Sequence, residues 1–189
     1  LTPPASSVQP QLPSLREAVP ASSALTLLPW SRVAEIARVR DDIRAASTDA
    51  DMIAHTHVPH PFTDAHLEEF LAPTADHIAR WAIVIDARYC GNVELRASTA
   101  NPRTAELGYS TAPWARGRGV MTSAVALITQ HALAQGFHRL EIKAAPTNPA
   151  SCRVAQRCGY TREGILRDAE YRRGQFNDLA VYSRLATDD

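Results

Sequence analysis

A short basic glycine loop, residues 116–122, constrains the fold of this chain more than any other stretch. The residues before it, 105–111, are typical of a strand, and residues 121–135 form an apolar helical run. A strand, a glycine turn and a helix N-terminus expose backbone N–H groups that have no helical partner. The helix dipole favours an anion there, and Arg116 and Arg118 add charge-assisted donors. The loop therefore indicates a pyrophosphate site, with a surface turn carrying two solvated arginines as the alternative.

The order of the other elements predicts one mixed α/β domain. Strands are predicted at residues 25–28, 77–86, 89–97, 105–111, 140–142, 161–166 and 178–185. Helices are expected after Ser31, Thr63 and Asn148, since each of these side chains is a good N-cap. Residues 51–61 are expected to be irregular, and residues 167–176 to form a polar loop. Helices mixed with antiparallel hairpins exclude a Rossmann fold and a barrel.

A change of composition near residue 24 predicts the domain boundary. Residues 1–23 alternate proline with serine, alanine and glutamine, a composition that buries too little apolar surface to fold alone. We expect them to be a leader, and residues 24–189 to be the folded domain.

The bulk composition narrows the class of protein. Lys and Arg together number 20, as do Asp and Glu, so the formal net charge is zero and no basic field favours nucleic acid. The three cysteines form no C-x-x-C pair, which favours free thiols over a zinc site or a disulfide framework. No apolar run approaches the length of a membrane span, and the first residues lack a signal-peptide pattern. A cytoplasmic protein without a metal, nucleic acid or membrane partner is expected.

Two separated signatures resemble those of the Gcn5-related N-acetyltransferases (GNAT). The family's acetyl-CoA loop is written Q/R-x-x-G-x-G/A, and here it reads RGRGVM, from Arg116 to Met121. Met stands where Gly or Ala is usual, and its bulk is expected to crowd the pyrophosphate. The second signature is an Asn followed by a helix that ends in Gly-Phe, here Asn148 and Gly159–Tyr160.

Within the superfamily, the chain resembles the RimJ/RimL-like branch, whose best-known members acetylate protein N-termini. Ser151 matches a serine of that branch. Ala155 stands where many other members of the superfamily carry a tyrosine that acts as general acid. The resemblance covers about residues 24–185. It implies the GNAT fold, an α/β (α+β mixed) architecture with a mostly antiparallel central sheet flanked by helices.

The resemblance also implies acetyl-CoA as the cofactor. Loop N–H groups would hold the diphosphate, and N–H groups near Ser110 and Thr111 would polarise the thioester where the strand splays from its neighbour. Arg116 and Arg118 are expected at the 3′-phosphate or in solvent. The expected cofactor-binding residues are Ser110, Thr111, Arg116, Gly117, Arg118, Gly119, Val120, Met121, Thr122, Asn148 and Ser151.

Direct transfer to an amine also needs an acid and a base. Ser151 is the candidate acid for the departing thiolate, with Tyr109 and Tyr171 as reserves, and Tyr171 is also a candidate contact to the acceptor. Glu106 is the candidate base. Glu94 is a second candidate base and also a candidate contact to the acceptor. For Glu106 and Glu94 alike, the alternative is a solvated strand residue or a salt-bridge partner of Arg96 or Arg103. Three histidines in the expected acceptor loop are further candidates: His55, His57 and His60.

The predicted function is therefore transfer of the acetyl group of acetyl-CoA directly to a primary amine. A protein or peptide N-terminal amine is the first choice of acceptor, by analogy with the branch. The alternatives are a small-molecule amine, such as an antibiotic or polyamine, and a non-catalytic CoA-binding module. A homodimer is a possible assembly.

Overall fold

The computed structural model describes residues 21–22 and 25–188. In this part of the chain, eight strands form one sheet in the order β1-β2-β3-β4-β5-β6-β8-β7. Neighbouring strands are antiparallel except β5 and β6, which are parallel. The strands are β1 Ala21–Ser22, β2 Leu25–Pro29, β3 Ile78–Ile85, β4 Arg88–Ala97, β5 Thr104–Thr111, β6 Arg139–Ala144, β7 Thr161–Arg172 and β8 Gln175–Leu185.

Helices cover both faces of this sheet and form two apolar cores. The helices are α1 Val39–Ser47, α2 Ala50–His55, α3 Asp64–Leu71, α4 Val120–Ala134 and α5 Pro149–Arg157. The larger core holds α4 and α5 against the strands, with Ile128 and Ala155 fully buried. The smaller core lies under α1 and α3, with Ile43 and Leu67 at its centre. The architecture confirms the predicted mostly antiparallel sheet flanked by helices.

Most predicted helix ends are confirmed by local hydrogen bonds. The side chain of Thr63 accepts from the His66 N–H, and the His66 ring accepts from the Thr63 N–H, which forms a capping box. The Asn148 side chain caps α5 by accepting from the Ser151 N–H at 3.1 Å. At the end of α4, Gly136 has φ 97° and the Phe137 N–H donates to the Ala132 carbonyl at 3.1 Å.

The helix predicted after Ser31 is wrong in its first part. Residues Trp30–Glu35 form a 3-10 helix, and Arg38, with φ 58°, separates it from α1. The buried apolar residues there recur every third position, which matches the 3.0-residue turn of a 3-10 helix. These residues are Trp30, Val33, Ile36 and Val39.

Two segments predicted to lack structure are ordered. Residues 51–61 were expected to be irregular, but residues 51–55 belong to α2, whose N-cap Asp49 accepts from the Met52 N–H at 3.0 Å. The polar loop predicted at residues 167–176 is the end of a long hairpin. Its strands β7 and β8 meet at Arg173 and Gly174, which both have the positive φ of a tight hairpin turn. Residues 167–169 interrupt the pairing, with a register shift between Leu166 and Glu170.

The predicted leader, residues 1–23, lies outside the described residues apart from β1. β1 pairs with residues 25 and 26 of β2. The boundary at residue 24 therefore stays a prediction.

Candidate active site

β5 and β6 pair over only three residues and then separate. The last paired positions are Glu106 and Glu141, although β5 continues to Thr111. A cleft of about 830 Å³ opens where the strands part. It brings together seven of the predicted site residues: Glu106, Ser110, Thr111, Arg116, Met121, Asn148 and Ser151.

The free edge of β5 presents backbone donors to this cleft. On the other edge, the Ala112 N–H donates to the Cys90 carbonyl of the neighbouring chain segment at 3.0 Å. Antiparallel hydrogen bonds alternate along a strand, so the Ser110 N–H also faces β4, with which Ser110 is paired. The N–H groups of Tyr109 and Thr111 therefore face the open side. The donors predicted near Ser110 and Thr111 are placed at Tyr109 and Thr111 instead.

The glycine loop leads into the N-terminus of α4 as its spacing indicates. Gly117 and Gly119 have φ of 71° and 74°, a left-handed conformation that only glycine adopts at low cost. No side chain caps α4, so the N–H groups of Val120, Met121 and Thr122 have no helical partner. The Met121 side chain is only 6% exposed and belongs to the larger core, although it also lines the cleft. It therefore packs largely into the core, and the crowding of a pyrophosphate expected of it stays a prediction.

The two arginines of the loop have different surroundings. Arg116 pairs with Asp49 and with Asp51, at 3.0 Å for Asp51, so it ties the loop to the start of α2. The hydrogen bond from Arg116 lowers the pKa of the Asp49 carboxyl below its usual value. Arg116 is thus paired with carboxylates in this structure, and its role at a 3′-phosphate or in solvent stays a prediction. Arg118 is exposed and forms no hydrogen bond or ion pair within the described residues.

Two hydroxyl groups meet at the start of α5. The Tyr109 hydroxyl lies 3.0 Å from Ser151 Oγ and 3.2 Å from the Ser151 carbonyl oxygen. Burial raises the pKa of Tyr109 well above its usual value, so the phenol stays protonated at neutral pH. Both residues line the cleft. The predicted acid and one of its two reserves therefore form a single hydrogen-bonded pair.

The two predicted carboxylates belong to a row of alternating charges across the sheet. Glu94 is buried, and it accepts from Arg80 at 2.7 Å and from Arg96 at 2.6 Å. Glu106 accepts from Arg96 at 3.2 Å and from Lys143 at 2.7 Å. The salt bridge to Arg96 that is the alternative role for Glu94 is therefore present. Both oxygens of Glu106 also have cationic partners.

A third carboxylate, Glu170, was missed in the sequence. It lines the cleft from β7, and its Oε1 lies 2.9 Å from His57 Nε2, while Oε2 lies 3.4 Å from Arg172 Nε. The prediction of a polar loop at residues 167–176 gives Glu170 no role. The signal that could have found it is the Arg173–Gly174 turn, which extends the strand pattern back through Glu170.

A second cavity, of about 460 Å³, adjoins the cleft. The two share lining residues of β5, including Gly108, Tyr109 and Ser110, and both include His57. Glu94 lines this second cavity. Tyr171 lines neither, since its exposed ring lies against that of Phe176, at 4.9 Å between centroids. The structure therefore does not bring Tyr171 to the predicted acceptor site.

His55 and His60 are the other two histidines of the expected acceptor loop. His55 lines the cleft, whereas His60 is exposed and lines neither cavity. Within residues 21–22 and 25–188, His, Cys, Asp and Glu form no group of three or more placed to bind a metal. Over the same residues, no helix combines the length and apolarity that crossing a membrane requires.

The family model described as an acetyltransferase (GNAT) domain matches residues 25–161. The chain belongs to the GNAT family. This confirms the resemblance drawn from the loop and from the Asn148 helix. The separated β5 and β6 and the glycine loop before α4 are thus parts of a GNAT domain.

Relatives of this GNAT chain include two bacterial acetyltransferases. Over 104 residues it is 34% identical to a putative ribosomal N-acetyltransferase, YdaF, of Bacillus subtilis, a match covering 54% of this chain and 57% of YdaF. Over 84 residues it is 36% identical to a ribosomal-protein-serine acetyltransferase of Escherichia coli, covering 44% of this chain and 47% of that protein. The chain thus spans about half the length of these curated relatives.

Solved structures show the same fold. RimL, a ribosomal L7/L12 alpha-N-protein acetyltransferase in complex with coenzyme A, has a TM-score of 0.75 at 22% identity, covering 89% of this GNAT chain and 98% of RimL. The microcin C7 self-immunity acetyltransferase MccE, in complex with acetyl-CoA and AMP, also has a TM-score of 0.75 at 22% identity, covering 87% and 93%. The ribosomal relatives support the RimJ/RimL-like resemblance, and the solved structures show that the fold is shared.

Proposed function

We propose that this chain transfers the acetyl group of acetyl-CoA to a primary amine, most favourably the N-terminal amine of a protein or peptide. The observation that carries the proposal is the cleft between β5 and β6, which joins free strand N–H groups to an uncapped helix N-terminus. Acetyl-CoA matches both ends of this cleft, because its thioester oxygen can accept from the strand N–H groups and its diphosphate can bind at the helix N-terminus. Acetyl-CoA supplies the acetyl thioester, from which the amine nitrogen takes the acetyl group as the sulfur departs.

The residues present fit this cofactor. The N–H groups of Val120, Met121 and Thr122 would bind the diphosphate, and the open φ of Gly117 and Gly119 lets a ligand approach the backbone. Apart from the adjoining residues, no heavy atom of the described residues lies within 4 Å of a Cβ position at either glycine, so the approach is open. The exposed Arg118 supplies a free positive charge beside the phosphates. The Tyr109 and Thr111 N–H groups would hold the thioester oxygen, each contributing about 3 kcal/mol to transition-state stabilisation.

Protonation of the leaving sulfur is assigned to the pair Ser151 and Tyr109. Ser151 Oγ stands at the start of α5, within the cleft. As it gives a proton to the sulfur, it takes one from the Tyr109 hydroxyl, 3.0 Å away, and water returns a proton to Tyr109 after the thiol leaves. Asn148 fixes the first turn of α5 and so positions Ser151.

Glu170 is our choice of base, and Glu106 is the second candidate. Both oxygens of Glu106 already accept charge-assisted hydrogen bonds from Arg96 and Lys143. Glu170 lies in the same cleft, and its shortest contact is with an imidazole, which accepts protons. Its carboxylate can take the ammonium proton directly or through one water.

The charge of the cleft supports an N-terminal amine as acceptor. The acids beside it are matched by arginine and lysine, so no surplus negative charge would concentrate a polyamine. An α-amine, with a usual pKa of about 7.7–8.0, has far more of its neutral form at pH 7 than a lysine amine at about 10.4. The ribosomal relatives point to the same class of acceptor.

A matched acceptor panel tests the proposal. Thiol release from acetyl-CoA would be measured with a peptide bearing a free N-terminus, with the same peptide N-terminally blocked but carrying lysine, and with spermidine. We expect turnover with the first peptide and little with the other two. Faster turnover of spermidine would assign a small-molecule amine. Binding of acetyl-CoA by calorimetry, with no turnover of any amine, would assign a non-catalytic module.

We place the predicted homodimer on the edge strand β7. This strand borders the sheet and exposes Ile165 and Leu166 to solvent. Sedimentation of the wild type against Ile165→Lys tests the placement. A monomer–dimer shift caused by the variant is expected, and an unchanged sedimentation coefficient would remove β7 as the interface.

A further inference from the structure

His57 connects the Glu170 carboxylate to solvent. Its Nε2 lies 2.9 Å from Glu170 Oε1, within hydrogen-bond distance. The Glu170 side chain is only 19% exposed, whereas the His57 side chain is 67% exposed. The imidazole therefore has one nitrogen on the carboxylate and most of its remaining surface in water.

The backbone on both sides of His57 is fastened to the β7–β8 turn. Arg173 donates from Nε to the Ile53 carbonyl at 2.9 Å and from Nη2 to the Val58 carbonyl at 2.7 Å. The Thr56 hydroxyl adds a local bond, accepting from the Val58 N–H at 3.2 Å. The imidazole is thus held at Glu170 by contacts besides its own.

The charged groups around this pair come from several elements. On β7, Arg172 Nε lies 3.4 Å from Glu170 Oε2, and at the hairpin turn the Arg173 guanidinium is occupied by the two carbonyls. The remaining titratable groups lining the cleft are Asp51 and His55 of α2, Arg96 of β4, Glu106 and Tyr109 of β5, Arg116 of the glycine loop and Lys143 of β6. Of all these, His57 makes the shortest polar contact with Glu170. The proton route out of the carboxylate therefore leads through His57.

We propose that His57 is the exit route for the proton that Glu170 takes from the acceptor ammonium, an inference that rests on the proposed function. In the resting pair, the Nε2–H of His57 donates to the Glu170 carboxylate. Once Glu170 Oε1 has taken one proton from the ammonium nitrogen, exchange with solvent moves the imidazole proton to Nδ1, and Nε2 accepts the proton from Glu170. His57 then releases the Nδ1 proton to water, which restores the resting tautomer. The carboxylate is regenerated and the amine is left neutral. His57 acts through Glu170 and is a positioning residue.

The test uses the full chain with acetyl-CoA and the peptide acceptor. His57→Gln retains a hydrogen-bonding group near Nε2 but cannot carry a proton through the side chain, and His57→Ala leaves space for a small base. We expect kcat to fall about tenfold or more in both variants, with acetyl-CoA affinity and Tm close to the wild type. Added imidazole should restore kcat of His57→Ala as its concentration rises. The control is His138→Gln, an exposed histidine at the paired end of β6.

The outcomes separate this inference from the function on which it rests. Wild-type kcat in His57→Gln, or loss of kcat in His57→Ala that imidazole does not restore, overturns the exit route. If Glu170→Gln loses kcat while both His57 variants keep it, the base assignment stands and the exit route fails. If the wild type turns over no amine, the proposed function fails, and the exit route fails with it. A flattened pH profile of kcat in His57→Gln, absent in His138→Gln, supports the exit route.

Discussion

The two walls of the cleft are held by different kinds of contact. One wall, formed by β5, the glycine loop, α4 and α5, rests on the larger core and on backbone hydrogen bonds. The other is formed by α2, the residues after it and the β7–β8 hairpin. Its side-chain contacts join residues 113, 115 and 120 positions apart. Large apolar side chains cost several kcal/mol to remove from a core, whereas an exposed ion pair contributes about 0–1 kcal/mol. The first wall is therefore the more stable of the two, and the position of the second wall depends on weaker contacts.

The largest expected effect comes from the reacting carboxylate of the second wall. Glu170→Gln should lower kcat by about 10²–10⁴-fold, the usual contribution of a general base, while acetyl-CoA binding stays unchanged. Glu106→Gln should have a smaller effect on kcat. Steady-state kinetics and calorimetry on both variants check this. A larger loss in Glu106→Gln would transfer the role of base to the first wall.

The next effect concerns the two hydroxyls of the first wall. Tyr109→Phe and Ser151→Ala should each lower kcat about tenfold or more, and the double variant should lose less than the product of the two. The reason is that the hydroxyls, 3.0 Å apart, pass one proton between them. A double-mutant cycle on kcat measures the coupling. Losses that simply multiply would show that the two groups act separately.

Asp49 and Arg116 join the two walls, and removing their ion pair should have a smaller effect, on the free energy of unfolding. Asp49→Asn keeps the cap on the Met52 N–H but removes the negative charge, so unfolding free energy should fall by up to about 1 kcal/mol. Asp49→Ala removes the cap as well and should cost about 1 kcal/mol more. Urea unfolding at low and high salt checks both values. If the difference between wild type and Asp49→Asn does not shrink in high salt, its origin is not the charge.

The smallest effect lies far from both walls, at Glu163. Hydrogen bonds from Arg139 and Ser183 lower the pKa of its carboxyl to about 2. A carboxyl with a lowered folded-state pKa contributes stability above its unfolded value of about 4.5, and loses it as pH falls toward 2. The unfolding free energy of the wild type should therefore approach that of Glu163→Gln across this range. A constant difference between them from pH 5 to pH 2 would contradict the assignment.

The first wall could be predicted from the sequence because its signals are local. Asn148 with Pro149 starts α5, and Gly136 with Phe137 ends α4, within a few residues of each other. The glycine loop needs only its own φ angles and the helix that follows. Each of these features depends only on residues that are close together in the chain, so the residue types alone are enough to predict it.

The second wall could not be predicted, because its contacts depend on segments far apart in the chain. Nothing near Glu170 in the sequence indicates that His57 will lie 2.9 Å away. The 3-10 helix at Trp30–Glu35 is a different case, since its three-residue spacing was visible but its capping serine favoured an α-helix. The direction of the Ser110 N–H likewise depended on knowing the register with β4.

Met121 gives the glycine loop a foundation inside the protein. Its side chain is packed among core residues from the sheet, α4 and α5, one position beyond the first residue of α4. Replacing it with the Ala usual in the family would leave a void there and cost about 2–5 kcal/mol. Met121 therefore holds the N-terminus of α4, and with it the proposed phosphate site, against the core. Met121→Ala would match the family pattern of the loop and yet destabilise that site.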